Sequence, residues 1–207
     1  TGTQSWIVID HVFSAGIIIP AGSSIKINTG TPEGIGEIIN AGALILTTGT
    51  VRLTGNWTNY GTFTAGSGTL IFSGTTSAAF VAGASTYNNV QINKTGTDAN
   101  DNVTLQTDSA TISGTLTITD GELIQQAALT TGAVTLSDAT SKWTNITNNA
   151  NVTLSGNVAN AGAISFNPAT AGLLLIRSSL AGTQRNWQGA GTFTMIGVDV
   201  KDQSCIG

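Results

Sequence analysis

The phrase LTGNWTNYGTF at residues 53–63 returns as LSGNVANAGAI at residues 154–164, an offset of 101 residues (154 − 53 = 101). Leu53 meets Leu154, Gly55 meets Gly156, Asn56 meets Asn157, Asn59 meets Asn160, Gly61 meets Gly162 and Phe63 meets Ile164. A shorter echo sets Asn40-Ala41-Gly42-Ala43-Leu44 against Asn160-Ala161-Gly162-Ala163-Ile164. Further on, Gly83-Ala84-Ser85-Thr86-Tyr87 precedes Val90-Gln91-Ile92. Gly189-Ala190-Gly191-Thr192-Phe193 likewise precedes Val198-Asp199-Val200, with two extra residues between. The same turn-rich phrases recur in the same order with uneven spacers. A closed sandwich has no reason to repeat itself in this way. A solenoid does, because each coil meets a neighbour like itself.

Between these phrases the chain reads as strand. SIKIN (24–28), ALILT (43–47), TVRLT (50–54), NVTLQ (102–106), TLTIT (115–119), AVTLS (133–137) and NVTLS (151–155) alternate apolar and polar residues, which puts the apolar side chains on one face of a strand. Glycine, asparagine or aspartate interrupts nearly every interval. No helical stripe stands out, and Pro20, Pro32 and Pro168 fall where turns are expected. Charged residues make up 9% of the 207 residues, against a usual value of about 25%, while hydrophobic residues reach 40%. Disorder needs the opposite balance, so the chain is expected to fold, with Thr, Ser and Asn carrying its solubility on pleated surfaces. Stacked short strands about 4.8 Å apart, in coils of roughly 20–25 residues, give about eight to ten coils. Inward rows of Val, Ile, Leu and Phe are expected to fill them, with Asn stacking on Asn and bonding backbone at the corners.

The segment IIIPAGSSIKINTGTPEGIGEIINAGALILTTGTVRLTGNWTNYGTFTAGSGTLIFSG resembles the start of the right-handed parallel β-helix regions of large bacterial secreted and cell-surface, adhesin-like proteins. Tyr87-Asn88-Asn89-Val90-Gln91-Ile92-Asn93 fits a phrase common in them, and Ile196–Asp202 is similar to the strand that closes one of their units. The resemblance covers most of the chain. It implies an all-β, right-handed parallel β-helix, with residues 1–207 as one solenoid domain and one unit or fragment of a longer chain. It also implies an extracellular or cell-surface structural role: a stalk, an adhesin segment or a subunit of a filament.

Charge narrows the partners. A formal net charge of −4 with seven Lys and Arg leaves no basic stripe for nucleic acid and no cationic amphipathic helix for a membrane surface. Apolar runs such as IIIPAG and GLLLIR are too short to span a bilayer. One cysteine, Cys205, excludes an internal disulfide framework. The chain begins at Thr1, which reads as a processed or excised chain.

Four groups of residues could carry chemistry. Polysaccharide hydrolases and lyases share the solenoid, and their chemistry needs clustered carboxylates or a base with a stabilising cation. The eleven acidic residues are scattered, with Asp98/Asp101 and Asp120/Glu122 among the few near neighbours. The one histidine, His11, neighbours Asp10 in WIVIDHVF, but consecutive strand residues point to opposite faces, so His11 reads as a structural or end-cap residue. No catalytic residue is assigned. Asp98, Asn100 and Asn102 alternate as oxygen ligands of Ca²⁺ do. They lack the Gly and Glu of an EF-hand loop, so a solvated loop is the plainer reading and no cofactor is expected, with Ca²⁺ the one candidate. Trp57, Tyr60, Trp143 and Trp187 lie near turns, where exposed rings would form a carbohydrate platform, the chief alternative function. The threonine pairs Thr62/Thr64, Thr115/Thr117/Thr119 and Thr192/Thr194 bring in ice binding as a minor alternative, provided they share one face in register. The expected partner is the chain itself or a neighbouring repeat, joined head to tail by strand pairing at open solenoid ends, with surface glycans as a further candidate.

Overall fold

In a computed structural model, residues 15–97, 99–171 and 173–206 are described. Asp10 and His11, with the rest of WIVIDHVF, lie outside them, as does Asp98. The described residues form 24 strands and no helix.

The strands wind as a three-faced coil. The first turn contributes β1 (Ile17–Ile19) and β2 (Ser24–Ile27); the second β3 (Ile38–Asn40), β4 (Ala43–Leu46) and β5 (Thr50–Leu53); the third β6 (Trp57–Asn59), β7 (Thr62–Thr64) and β8 (Thr69–Gly74). The fourth holds β9 (Ala78–Val81), β10 (Thr86–Tyr87) and β11 (Asn89–Lys94); the fifth β12 (Asn102–Gln106) and β13 (Ala110–Asp120); the sixth β14 (Glu122–Gln125) and β15 (Leu129–Leu136). The last three are β16 (Lys142–Asn145), β17 (Val152–Leu154) and β18 (Val158–Asn160); β19 (Ala163–Phe166), β20 (Leu174–Ser178) and β21 (Arg185–Gln188); and β22 (Thr192–Met195), β23 (Val198–Lys201) and β24 (Gln203–Ile206).

One strand of each turn joins a nine-stranded parallel sheet, β1-β3-β6-β9-β12-β14-β16-β19-β22. These nine turns match the repeat expected from the sequence, and at the strand spacing they make a stack about 40 Å long. The second face opens as the small sheet β2-β4-β7 and continues from β10 through the first halves of β13 and β15 to β17, β20 and β23. The third runs from β5 and β8 through β11 and the second halves of β13 and β15 to β18, β21 and β24. Long β13 crosses the corner between these faces by a register shift at Ser113-Gly114. A Cβ on Gly132, the next glycine in that corner, would lie 1.8 Å from the Gly114 carbonyl oxygen. No side chain fits where consecutive backbones approach this closely.

Alternation decides what is buried. Leu53, Phe63, Leu70 and Phe72 enter the core as expected. In-register rows such as Val51–Leu70–Val90–Leu116–Val134–Val158 run up the third face, so each turn buries the row beneath it. Each fully buried Val, Leu or Phe stabilises by about 1.5–3 kcal/mol relative to exposure. The core holds together because every turn closes over the last.

The sequence echoes mark corners, but not the same corner. Asn40-Ala41-Gly42 and Asn59-Tyr60-Gly61 join the first face to the second, β3 to β4 and β6 to β7. Asn160-Ala161-Gly162 joins the third face to the first, β18 to β19. Likewise Leu53-Thr54-Gly55-Asn56 leads from the third face to the first, and Leu154-Ser155-Gly156-Asn157 from the second to the third. The 101-residue repeat is therefore displaced by one face around the axis. The echo restores the same kind of corner on a neighbouring face.

Candidate functional site

The local chemistry of the echo is conserved by geometry. The Thr54 hydroxyl donates to the Ile35 carbonyl of the turn beneath at 3.3 Å, and Ser155 does the same to Thr131 at 3.2 Å. Asn56 Oδ1 accepts the Ala79 N–H of the turn above at 2.8 Å, and Asn157 Oδ1 accepts that of Asn186 at 3.0 Å. Each phrase clips a corner to the turns on both sides of it.

Inside the corners runs a second polar set that sequence reasoning placed only loosely. Asn40 Nδ2 donates to Asn59 Oδ1 at 2.7 Å, and Asn59 Nδ2 donates to Ser85 Oγ at 2.9 Å. This is the coil-to-coil asparagine stacking expected from the sequence. Asn145 Nδ2 donates to the Ala150 carbonyl and Asn160 Nδ2 to that of Thr192. Gln125 Nε2 reaches the carbonyls of Ala127 and Ala150 at 3.0 and 2.9 Å. All are buried, so these bonds replace those water would make.

Lys94 is the member that sequence reasoning missed. It is fully buried, and its Nζ donates to the Ser73 carbonyl at 2.7 Å and the Thr54 carbonyl at 2.8 Å, one and two turns below. Burial pushes its ammonium down to about 8. The signal was available: in Val90-Gln91-Ile92-Asn93-Lys94, Lys94 shares the inward parity of Val90 and Ile92. Asn40 after Ile38, Asn59 after Trp57, Gln125 after Leu123 and Asn160 after Val158 follow the same rule. Each is the last inward position before a corner, where carbonyls turn inward and need a donor.

The four aromatic candidates divide. Trp57 and Trp143 are completely buried and Trp187 almost so, whereas Tyr60 is 72% exposed. Trp57 packs edge-on to Phe63 and Tyr87, and its Nε1 donates to the Tyr87 hydroxyl at 2.8 Å. That hydroxyl donates in turn to the Ala82 carbonyl; burial raises its pKa well above the usual tyrosine range. Trp143 stacks parallel to Trp187 at 6.4 Å, with Phe166 edge-on to both. Their indole N–H groups donate to Gln125 Oε1 and Gln203 Oε1. The sugar platform is corrected on this point: three of the four rings face the axis, because they occupy inward strand positions, and offer no open face. Tyr60 alone stands outside, at a corner.

The threonine candidates do not converge on one face. The threonine pairs occupy three faces: Thr62/Thr64 in β7 on the second, Thr115/Thr117/Thr119 in β13 on the third and Thr192/Thr194 in β22 on the first. They form no common array. A ladder that the T-x-T pattern did not show, Thr86–Thr111–Thr130–Thr153, does run in register up the second face. Of the Ca²⁺ set, Asn100 lies in an exposed turn, its N–H on the Thr97 carbonyl, while Asn102 opens β12 opposite Glu122. The two are split by a loop–strand boundary. Asp101 is buried. Asp120 and Glu122 flank the corner at Gly121. Asp120 Oδ1 accepts from the Gly121 N–H, and Glu122 from the Thr144 hydroxyl. The Thr140 hydroxyl, helped by the Thr140 and Ser141 N–H groups, holds the nearby Asp138 carboxyl below its usual range. Among the described residues no three His, Cys, Asp or Glu side chains form a metal-sized group, and no helix is long and apolar enough to cross a membrane.

No protein-family model, no curated protein and no solved structure matches the chain.

Proposed function

We propose that this chain is a structural, non-catalytic segment of an extracellular or cell-surface protein, a stiff spacer of the stalk or adhesin kind. The observation that carries the proposal is the unbroken axial stack: the apolar core extends from Ile19 to Trp187, clipped at its corners by side-chain bonds that reach neighbouring turns. A load applied along or across such a rod is shared by parallel ladders on three faces rather than by one interface. Its surface is charge-poor and rich in Thr and Asn, which suits display outside the cell more than recognition of a charged partner. At its ends the stack joins neighbouring repeats or subunits through strand edges.

Small-angle scattering and limited proteolysis of the native protein test the rod. The expected particle is elongated, with a stack of about 40 Å, and resists cleavage within the strands. A compact or readily cleaved particle refutes the proposal. Labelling of intact source cells with an antibody tests the location. Glycan binding that disappears in Tyr60→Ala would favour the carbohydrate module instead.

A further inference from the structure

One step of the stack is held unevenly. Between the third and fourth turns, the third face pairs β8 with β11 at six consecutive positions, from Thr69↔Asn89 to Gly74↔Lys94. The first face pairs β6 with β9 at only two, Trp57↔Phe80 and Thr58↔Val81, against three or four at every other step of that sheet. On the second face β7 ends its small sheet and β10 pairs only with β13 above it, so among the described residues this step has no ladder there. Chain length is the cause. Thr58 is level with Val81, and Thr69 with Asn89. The third turn spends eleven residues between these levels (69 − 58 = 11) and the fourth eight (89 − 81 = 8). Three residues shorter, the fourth turn cannot follow β7. It cuts the corner through Gly83 and Ala84, both at positive φ, 64° and 50°. The Ser85 N–H then closes that corner on the Ala82 carbonyl rather than on the turn beneath.

Side chains hold the step where the ladder is missing. The Tyr87 ring of the fourth turn packs on Phe63 of the third at 4.8 Å and edge-on to Trp57 at 5.9 Å. The Trp57 Nε1–H bond to the Tyr87 hydroxyl and the Asn59 Nδ2 bond to Ser85 Oγ cross the same step. At the far end of the β8–β11 ladder, Lys94 Nζ adds its two bonds to the turns below, on Ser73 and Thr54. The step therefore has a backbone spine on one side and a side-chain seam on the other. We propose that it is a hinge. The turns on either side part along the second face and swing about the β8–β11 ladder, uncovering the Tyr87 cluster while the spine stays paired. Opening any other step in this direction breaks ladders on two faces; opening this one breaks two paired positions on one. Local opening follows the least-bonded boundary. The hinge rests on the ladders alone and stands whatever the rod is for; bending there under load rests on the spacer reading.

Native-state thiol labelling tests the hinge, in a Cys205→Ser background because Cys205 is exposed. Ala82, Ala110 and Ala150 lie between the first and second faces in the fourth, fifth and seventh turns and are 0%, 1% and 2% exposed. Ala82→Cys is expected to be labelled about tenfold or more faster than Ala110→Cys and Ala150→Cys, because only its step opens short of global unfolding. Tyr87→Phe deletes the hydroxyl that links Trp57 to the Ala82 carbonyl. It is expected to speed labelling of Ala82→Cys further and to leave the other two unchanged. Hydrogen exchange of the unmodified protein keeps the test open if a cysteine variant fails to fold. The amides of β9 are expected to exchange faster than those of β12, while those of β11 stay protected. A stack that frays turn by turn would release β11 together with β9. Equal labelling at the three alanines, a Tyr87→Phe effect shared by all three, or β11 exchanging with β9 each overturns the proposal.

Discussion

Lys94 makes the fold's stability depend on pH in a direction opposite to that of a salt-bridged lysine. Its ammonium is buried against the Ser73 and Thr54 carbonyls, and burial lowers its pKa from 10.5 to about 8. The unfolded chain therefore binds the proton more tightly, and between these values stability rises as pH rises. Each pKa unit corresponds to about 1.4 kcal/mol. From pH 7 to pH 10 the wild type should gain roughly 2–3 kcal/mol from this residue. The gain is capped from above by Tyr87, whose raised pKa means the unfolded chain ionises first, so stability falls again beyond about pH 10. Lys94→Met isolates the effect. At pH 7 it relieves a buried charge but leaves two carbonyls without their donor, at about 1–3 kcal/mol each, so the net change is small. Its decisive signature is the loss of the rise between pH 7 and 10. Denaturant titrations followed by far-UV circular dichroism at pH 7, 8.5 and 10 measure both proteins. A wild type with flat or falling stability across this window, or a Lys94→Met protein that rises equally, refutes the reasoning.

Other outcomes follow from the same geometry. Gly132→Ala places its Cβ on the Gly114 carbonyl oxygen and is expected to destabilise by about 3 kcal/mol or more, visible as a large drop in Tm; an unchanged Tm would count against the close corner approach. Trp143→Ala empties the aromatic stack with Trp187 and Phe166 and is expected to cost about 3–5 kcal/mol, whereas Tyr60→Ala stays within about 0.5 kcal/mol; thermal melts showing the reverse order would place the indoles outside. Asn59→Leu removes the partner of the Asn40 amide and is expected to cost about 1–3 kcal/mol, measured by the midpoint of urea unfolding; a neutral result would show that the asparagine pair contributes nothing net.

How far the sequence reaches is clear at particular residues. The alternation in NVTLQ and AVTLS, with Gly and Asn between strands, determined by itself that the chain is a stack of short strands, because period two and turn chemistry are local properties. The repeated phrases determined that it is a solenoid, because each corner demands the same hydroxyl, glycine and amide wherever coils run a strand spacing apart. Which corner a phrase occupies is not local. It depends on the summed lengths of all intervening loops, which take the turns from 19 residues (Ile38 to Trp57) to 29 (Ile164 to Phe193), so only the pairing register revealed that the echo is shifted by one face. The side on which Trp57 and Trp143 lie was decided the same way: alternation separates two sides of a strand without saying which one the next turn will cover. Lys94 shows the consequence: it is a charged residue whose inward parity, and the turns closing over it, seal it inside the stack.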